Sequence, residues 1–125
     1  MSMVDARDVA AVGAACLTGE GHEGRTYLVT GPQGITFSEV ALHLSQGLDM
    51  PVRYVDASAE NARTGMLMMG MPDWYVDDLL GFYAWYSTGA SAAVSDVVQT
   101  MAGRPGRSFS QFVAEHRSGF LKAGL

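Results

Sequence analysis

The side chains that could do chemistry are few and scattered. Gly19-Glu20-Gly21-His22-Glu23-Gly24 spells G-x-G-x-x-G. That pattern holds a dinucleotide pyrophosphate on helix N–H groups when it links a strand to a following helix. Here a helical pattern precedes it and a strand pattern follows, and Glu20 and Glu23 would repel phosphate, so it reads as a flexible loop. The histidines, His22, His43 and His116, lack the i+3 or i+4 pairing of metal ligands. His116 falls on an apolar stripe with Phe109, Phe112, Val113 and Phe120 and reads as a core-edge histidine. His43 lies on the flank of a predicted helix, where a base could reach a cleft. Asp73, Asp77 and Asp78 could share a proton as paired carboxylates. Against that, Asp73 suits the first turn of a helix dipole, and the other two point away from the apolar stripe, as on a solvated face. His43, Tyr54 and Asp77 are therefore the candidate acid–base groups. Cys16 has no basic neighbour in sequence and reads as a buried, inert thiol.

The elements that must position these groups are well punctuated. Asp5 and Asp8 start a helix of ARDVAAVGAACL, with Val9, Val12, Cys16 and Leu17 at helical spacing and a stop near Gly19. RTYLVT, residues 25–30, reads as a strand. Thr36 and Glu39 form a capping-box pattern for a helix with Phe37, Val40, Ala41 and Leu44 on one face, ending at Gly47. PVRYVD, residues 51–56, reads as a second strand. Strand, helix, strand in this span predicts a βαβ unit with parallel strands. Ser58 can cap the next helix, Pro72 opens a long one to about Ser87, Ser95 can cap a short one to Ala102, and Ser108 with Gln111 can cap a last one through about Leu121. The fold class is thus α/β, mainly helical, a single domain over 1–125 with one βαβ unit.

Composition sets limits on the partners. The chain has 125 residues, 48% hydrophobic and 17% charged. It is too apolar for a disordered tail, and no apolar run approaches the roughly 18 residues of a membrane span. MSMVDARD lacks the order of a signal peptide, and the one cysteine fits a reducing cytoplasm. The net charge of −5 comes with no basic residue between Arg63 and Arg104, which argues against nucleic acid.

Four stretches in this order carry a resemblance: VDARDVAAV, then GRTYLVTGPQGITFSEVALHLSQGLDMPVRYVD, then GMPDWYVDDLLGFYAWYSTG, then SDVVQTMAGRPGRSFSQFVAEHRSGF. The chain resembles the C-terminal, substrate-side part of NmrA-like proteins, atypical members of the short-chain dehydrogenase superfamily. The resemblance implies a segment that walls a substrate cleft in an NAD(P)-dependent oxidoreductase or NAD(P)-sensing regulator. It also implies that the Rossmann half, with its glycine-rich turn, lies outside this sequence, whether as a lost domain or on a longer chain. No Tyr-x-x-x-Lys is present, the one lysine being Lys122. The isolated chain is therefore expected to hold no cofactor and to transfer no hydride unless a nucleotide-binding partner supplies NAD(P).

The long helix is the informative element. Tyr75, Leu79, Phe82 and Tyr86 form one stripe, Val76, Leu80 and Tyr83 the next, and Trp74 and Trp85 a third side. An ordinary surface helix needs an apolar arc of little more than about 100°. Three coverings suit the excess: a second copy of the chain in a homodimer, a separate nucleotide-binding chain, or a small apolar ligand. Burial within the domain's own core is the plain alternative. The reading favoured by the residues is a small-molecule-binding domain, enzymatic only in a cofactor-independent way. Its pocket would be lined by Met66, Met69, Trp74, Tyr75, Phe82 and Tyr86, with Tyr54 or His43 as polar groups. A C-terminal half of a split or truncated oxidoreductase and a regulatory protein-binding module are the alternatives.

Overall fold

A computed structural model describes residues 1–122 of the chain. Seven helices follow in chain order: α1 Ala6–Thr18, α2 Phe37–Leu48, α3 Ala59–Met68, α4 Asp73–Ser87, α5 Val97–Ala102, α6 Phe109–Glu115 and α7 Arg117–Lys122. They fall into two compact units, Met1–Arg53 with Ala92–Leu125, and Tyr54–Ser91.

In the first unit the caps act as their residue types predict. The Asp5 carboxylate accepts the Arg7 N–H at 2.8 Å and starts α1. Thr36 and Glu39 close a reciprocal capping box at α2, with bonds of 2.7 and 3.2 Å, and Ser108 and Gln111 do the same at α6. α1 packs on α5, and α2 packs on α6 and α7. The buried apolar side chains are Val12 of α1, Ile35, Ala41 and Leu48 of α2, Val98 of α5 and Val113 of α6. Of the predicted α1 face, Val12 is buried and Cys16 half-buried, while Val9 and Leu17 are exposed.

The chain's own ion pairs tie this unit together. Asp8 is fully buried, accepts the Arg107 backbone N–H at 2.6 Å, and pairs with the guanidinium groups of Arg104 at 2.7 Å and of Arg107. Burial pushes the Asp8 carboxyl up, but the Arg107 amide and the Arg104 guanidinium outweigh it and hold the group below its usual range. Arg7 bridges Asp5 at 2.6 Å and Glu115 at 2.7 Å, joining the start of α1 to the end of α6.

Several boundaries differ from the sequence expectation. Among the described residues there is no strand: 25–30 and 51–56 have no regular secondary structure, and the predicted parallel pair is not formed. Two parallel strands without further neighbours are too weak to hold a sheet. Backbone groups find other partners instead. Ile35 N–H donates to Met1 O at 2.8 Å, and the Ser45 hydroxyl donates to Val52 O while accepting the Val52 N–H at 2.9 Å. Ser95 does not cap α5: its hydroxyl donates to Leu28 O at 2.6 Å and its N–H to Thr30 Oγ1, so the helix starts two residues later. α2 runs past Gly47, where Val113 packs, and closes on Asp49 in the left-handed region at φ 57°. The last helix breaks at His116, which is exposed, with Nδ1 against Phe112 O at 2.9 Å. The ring stacks on Phe112 from outside, so it does not belong to the core edge.

In the second unit, α3 and α4 pack on each other. Ser58 caps α3 by accepting the Asn61 N–H at 3.2 Å. Pro72 stands as N-cap of α4, and Gly89, at φ 80°, follows its end.

Candidate functional site

The long helix α4 is amphipathic by burial, though not by composition. Val76 is its one fully buried side chain, and Leu79 and Leu80 are half-buried. Around them the large rings stand out: Trp74 is 67% exposed and Trp85 48%, and Tyr75, Phe82 and Tyr83 are also exposed. Phe82 is the hub of a ring cluster, 4.4 Å from Tyr86 and edge-on to it, and stacked at 5.9 Å on Trp85. Trp74 and Tyr75 form a second edge-on pair at 5.6 Å. On α3 and the turn after it, Met69 is exposed and Met66 half-buried. All six predicted lining residues thus lie in this one unit. Aromatic surface of this kind offers flat, polarisable faces to a conjugated molecule.

The predicted acid–base groups have separate surroundings within their own units. Asp77 is held by Arg63, which also takes Asp73 at 2.8 Å. A carboxylate engaged this way positions α3 against α4 and is poorly placed as a free base. Tyr54 donates its hydroxyl to Asp56 at 3.2 Å, and burial followed by that carboxylate raises its pKa. His43 belongs to the other unit. Its Nδ1 is buried without a hydrogen-bond partner, and its ring tilts against Phe109 at 6.2 Å. Among the described residues no three His, Cys, Asp or Glu side chains gather as metal ligands.

Sequence reasoning missed Arg63 and left Trp85 out of the lining. Trp85 had a signal, its i+3 spacing from Phe82. Arg63 had a weaker one: it is the last basic residue before a stretch rich in aspartate.

The glycine hexad behaves as a loop. Gly19 closes α1, Gly21 and Gly24 take positive φ, and His22 Nδ1 bonds the Tyr27 hydroxyl at 2.8 Å. No helix follows, residues 25–30 having no regular secondary structure, so these residues do not fit a dinucleotide pyrophosphate.

Comparison with known proteins decides the relationship. No family profile matches the sequence. The chain is 42% identical over 120 residues to the NAD(P)H azoreductase of Xenophilus azovorans, covering 96% of this chain and 42% of that one. It is 43% identical over 120 residues to the (4-alkanoyl-5-oxo-2,5-dihydrofuran-3-yl)methyl phosphate reductase of Streptomyces griseus, with the same coverage. The chain is thus similar to part of these NAD(P)H-dependent reductases. Among solved structures, the triphenylmethane reductase of Citrobacter sp. superposes with a TM-score of 0.82 at 26% identity, over 94% of this chain and 41% of that one. That reductase has also been solved with NADP(H) bound. The chain spans about 42% of the length of the curated relatives it matches. Among the described residues, no helix is long and apolar enough to cross a membrane.

Proposed function

We propose that this chain is the substrate-side segment of an NAD(P)H-dependent oxidoreductase whose acceptor is a conjugated, largely apolar molecule. The observation that carries the reading is the exposed ring surface of α4, with Val76 alone fully buried beneath it. The names of two relatives support the acceptor class, azo and triphenylmethane compounds being conjugated and largely apolar, while the furanone of the third is conjugated but carries a phosphate. The glycine hexad does not fit NAD(P), so the nucleotide site would belong to a Rossmann segment covering the rest of the relatives' length. This chain's contribution is to bind the acceptor against the exposed, near-parallel rings of Phe82 and Trp85, orient it and keep water away.

The same reading accounts for the two segments that join no ladder. Residues 25–30 and 51–56 would complete a βαβ unit once a neighbouring sheet offers partners.

Co-expression with the N-terminal nucleotide-binding segment of the Xenophilus azoreductase tests this. The expected result is a stable complex that oxidises NADPH only when an azo dye or quinone is added. Phe82→Ala and Trp85→Ala should raise KM for the acceptor about tenfold, the effect of losing a stacked ring worth about 1.4 kcal/mol. Failure of the two segments to associate, or unchanged KM in both variants, would overturn the proposal. If the chain instead self-associates and binds the dye alone, with tryptophan quenching, the homodimeric binding-domain reading takes its place.

A further inference from the structure

Asp78 points away from the buried side of α4, yet the side it faces is the aromatic one. At about 100° per residue, Trp74, Tyr75, Asp78, Phe82 and Trp85 share an arc of about 100° with Asp78 near its middle, and Val76 lies about 160° round from Asp78. Burial agrees with that geometry: Val76 is fully buried, whereas Asp78 and the four rings are exposed. Gly81 lies on the same side, one turn past Asp78 and one turn before Trp85, and a Cβ built on it meets nothing within 4 Å. The ground between the carboxylate and the stacked rings of Phe82 and Trp85 is therefore open.

A merely solvated face would set other polar side chains beside Asp78, but its neighbours on this arc are rings and a glycine. Nor do nearby charges neutralise it. Arg63, the one basic residue between Tyr54 and Ser91, is taken by Asp73 at 2.8 Å and by Asp77. Among the described residues Asp78 has no basic partner. Helical side chains lean toward the N-terminus, so the rings of Phe82 and Trp85 reach back over the turn that carries Asp78. Exposed ring faces attract a cation through their quadrupole, and a carboxylate set among them adds a Coulomb attraction of the same sense. An anionic ring system meets the carboxylate as repulsion.

We propose that α4 selects conjugated acceptors that carry a positive charge, with Asp78 as the residue that sets the preference. The inference rests on the oxidoreductase reading, which supplies the acceptor, and adds the sign of its charge. The acceptor's rings lie against Phe82 and Trp85, and its cationic group sits by Asp78 in the gap that Gly81 leaves. Recognition moves no proton and no electron.

The test uses the full chain and three dyes built on 4-dimethylaminoazobenzene: one with a 4′-trimethylammonium group, one unsubstituted and one with a 4′-sulfonate. Tryptophan quenching at low ionic strength gives each Kd. The cationic dye should bind about tenfold more tightly than the neutral one and the sulfonate more weakly than either, and added salt should shrink the differences. Asp78→Asn should weaken the cationic dye about fivefold and leave the neutral dye unchanged, while Asp78→Glu keeps the preference. Glu60→Gln, the same loss of charge on α3, should change each Kd by less than about twofold. Equal affinity for the three dyes, a preference for the sulfonate, a cationic preference intact in Asp78→Asn, or Glu60→Gln acting as strongly as Asp78→Asn would overturn the charge selection and leave the acceptor wall standing. Binding of none of the dyes would overturn both.

Discussion

Asp8 Oδ2 accepts the backbone N–H of Arg107 at 2.6 Å, a bond between residues 99 apart in the chain. It locks the first turn of α1 to the loop between α5 and α6. Asp8→Ala would leave Arg107 N–H and two guanidinium groups without their acceptor in a closed site. The expected loss is about 3–5 kcal/mol, read as a lower urea midpoint.

The same contact sets the response to acid. The Asp8 carboxyl lies below its usual value of 3.8 in the folded chain. A group depressed on folding stabilises the native state above its unfolded pKa and loses that contribution as pH falls through the folded one. The stability of the first unit should therefore be flat near neutrality and fall below about pH 4. Asp8→Asn should reduce that fall, the remainder coming from Asp5 and Glu39, whose carboxyls are also held low by Arg7 and by Thr36. A denaturant series across acidic pH, run on both proteins, measures the difference.

Gly47 offers a second test. A Cβ built there would lie 2.5 Å from Val113 Cγ1, and Val113 is fully buried. Gly47→Ala should destabilise by about 1–3 kcal/mol through overpacking, even though alanine is the better helix former. Adding Val113→Ala should return part of that loss, so the double mutant is more stable than the sum of the two single effects predicts. Thermal melts of the four proteins supply the cycle.

Asp49 closes α2 with φ at 57°. L-residues pay roughly 1–2 kcal/mol for this region, aspartate at the lower end. Asp49→Gly should raise stability by up to about 1 kcal/mol, and the melting temperature with it.

The tryptophans report on α4. With Trp74 67% and Trp85 48% exposed, the free chain should emit at long wavelength and be quenched efficiently by acrylamide. Trp74→Phe and Trp85→Phe, measured separately, should each retain a quenchable component. Addition of an azo dye should protect Trp85 more than Trp74, because Trp85 belongs to the Phe82 ring cluster.

Local signals were legible in the sequence and long-range ones were not. Thr36 with Glu39 and Ser108 with Gln111 foretold their caps because each pair is closed within four residues. The excess of aromatic surface on α4 was also legible, since helical periodicity alone shows that one core cannot cover it. Asp8 was read only as a helix-start acid; its partners Arg104 and Arg107 come from the far end of the chain, beyond any local pattern. Gly47 looked like a stop, yet its role is set by Val113 across the packing interface. The two predicted strands had the right residue types, but a ladder depends on a neighbour that propensity does not provide. Asp77 showed its chemistry in the sequence and lost it in the structure, because Arg63 reaches it from the preceding helix.

The segment at residues 25–30, which joins no ladder, has a practical side. Amide and carbonyl rows without a ladder invite any other chain in the same conformation to dock alongside, and identical copies match best. Concentrated stocks of the free polypeptide are thus most exposed to slow fibrillar association, and a lysine or proline placed in that stretch would lengthen their shelf life.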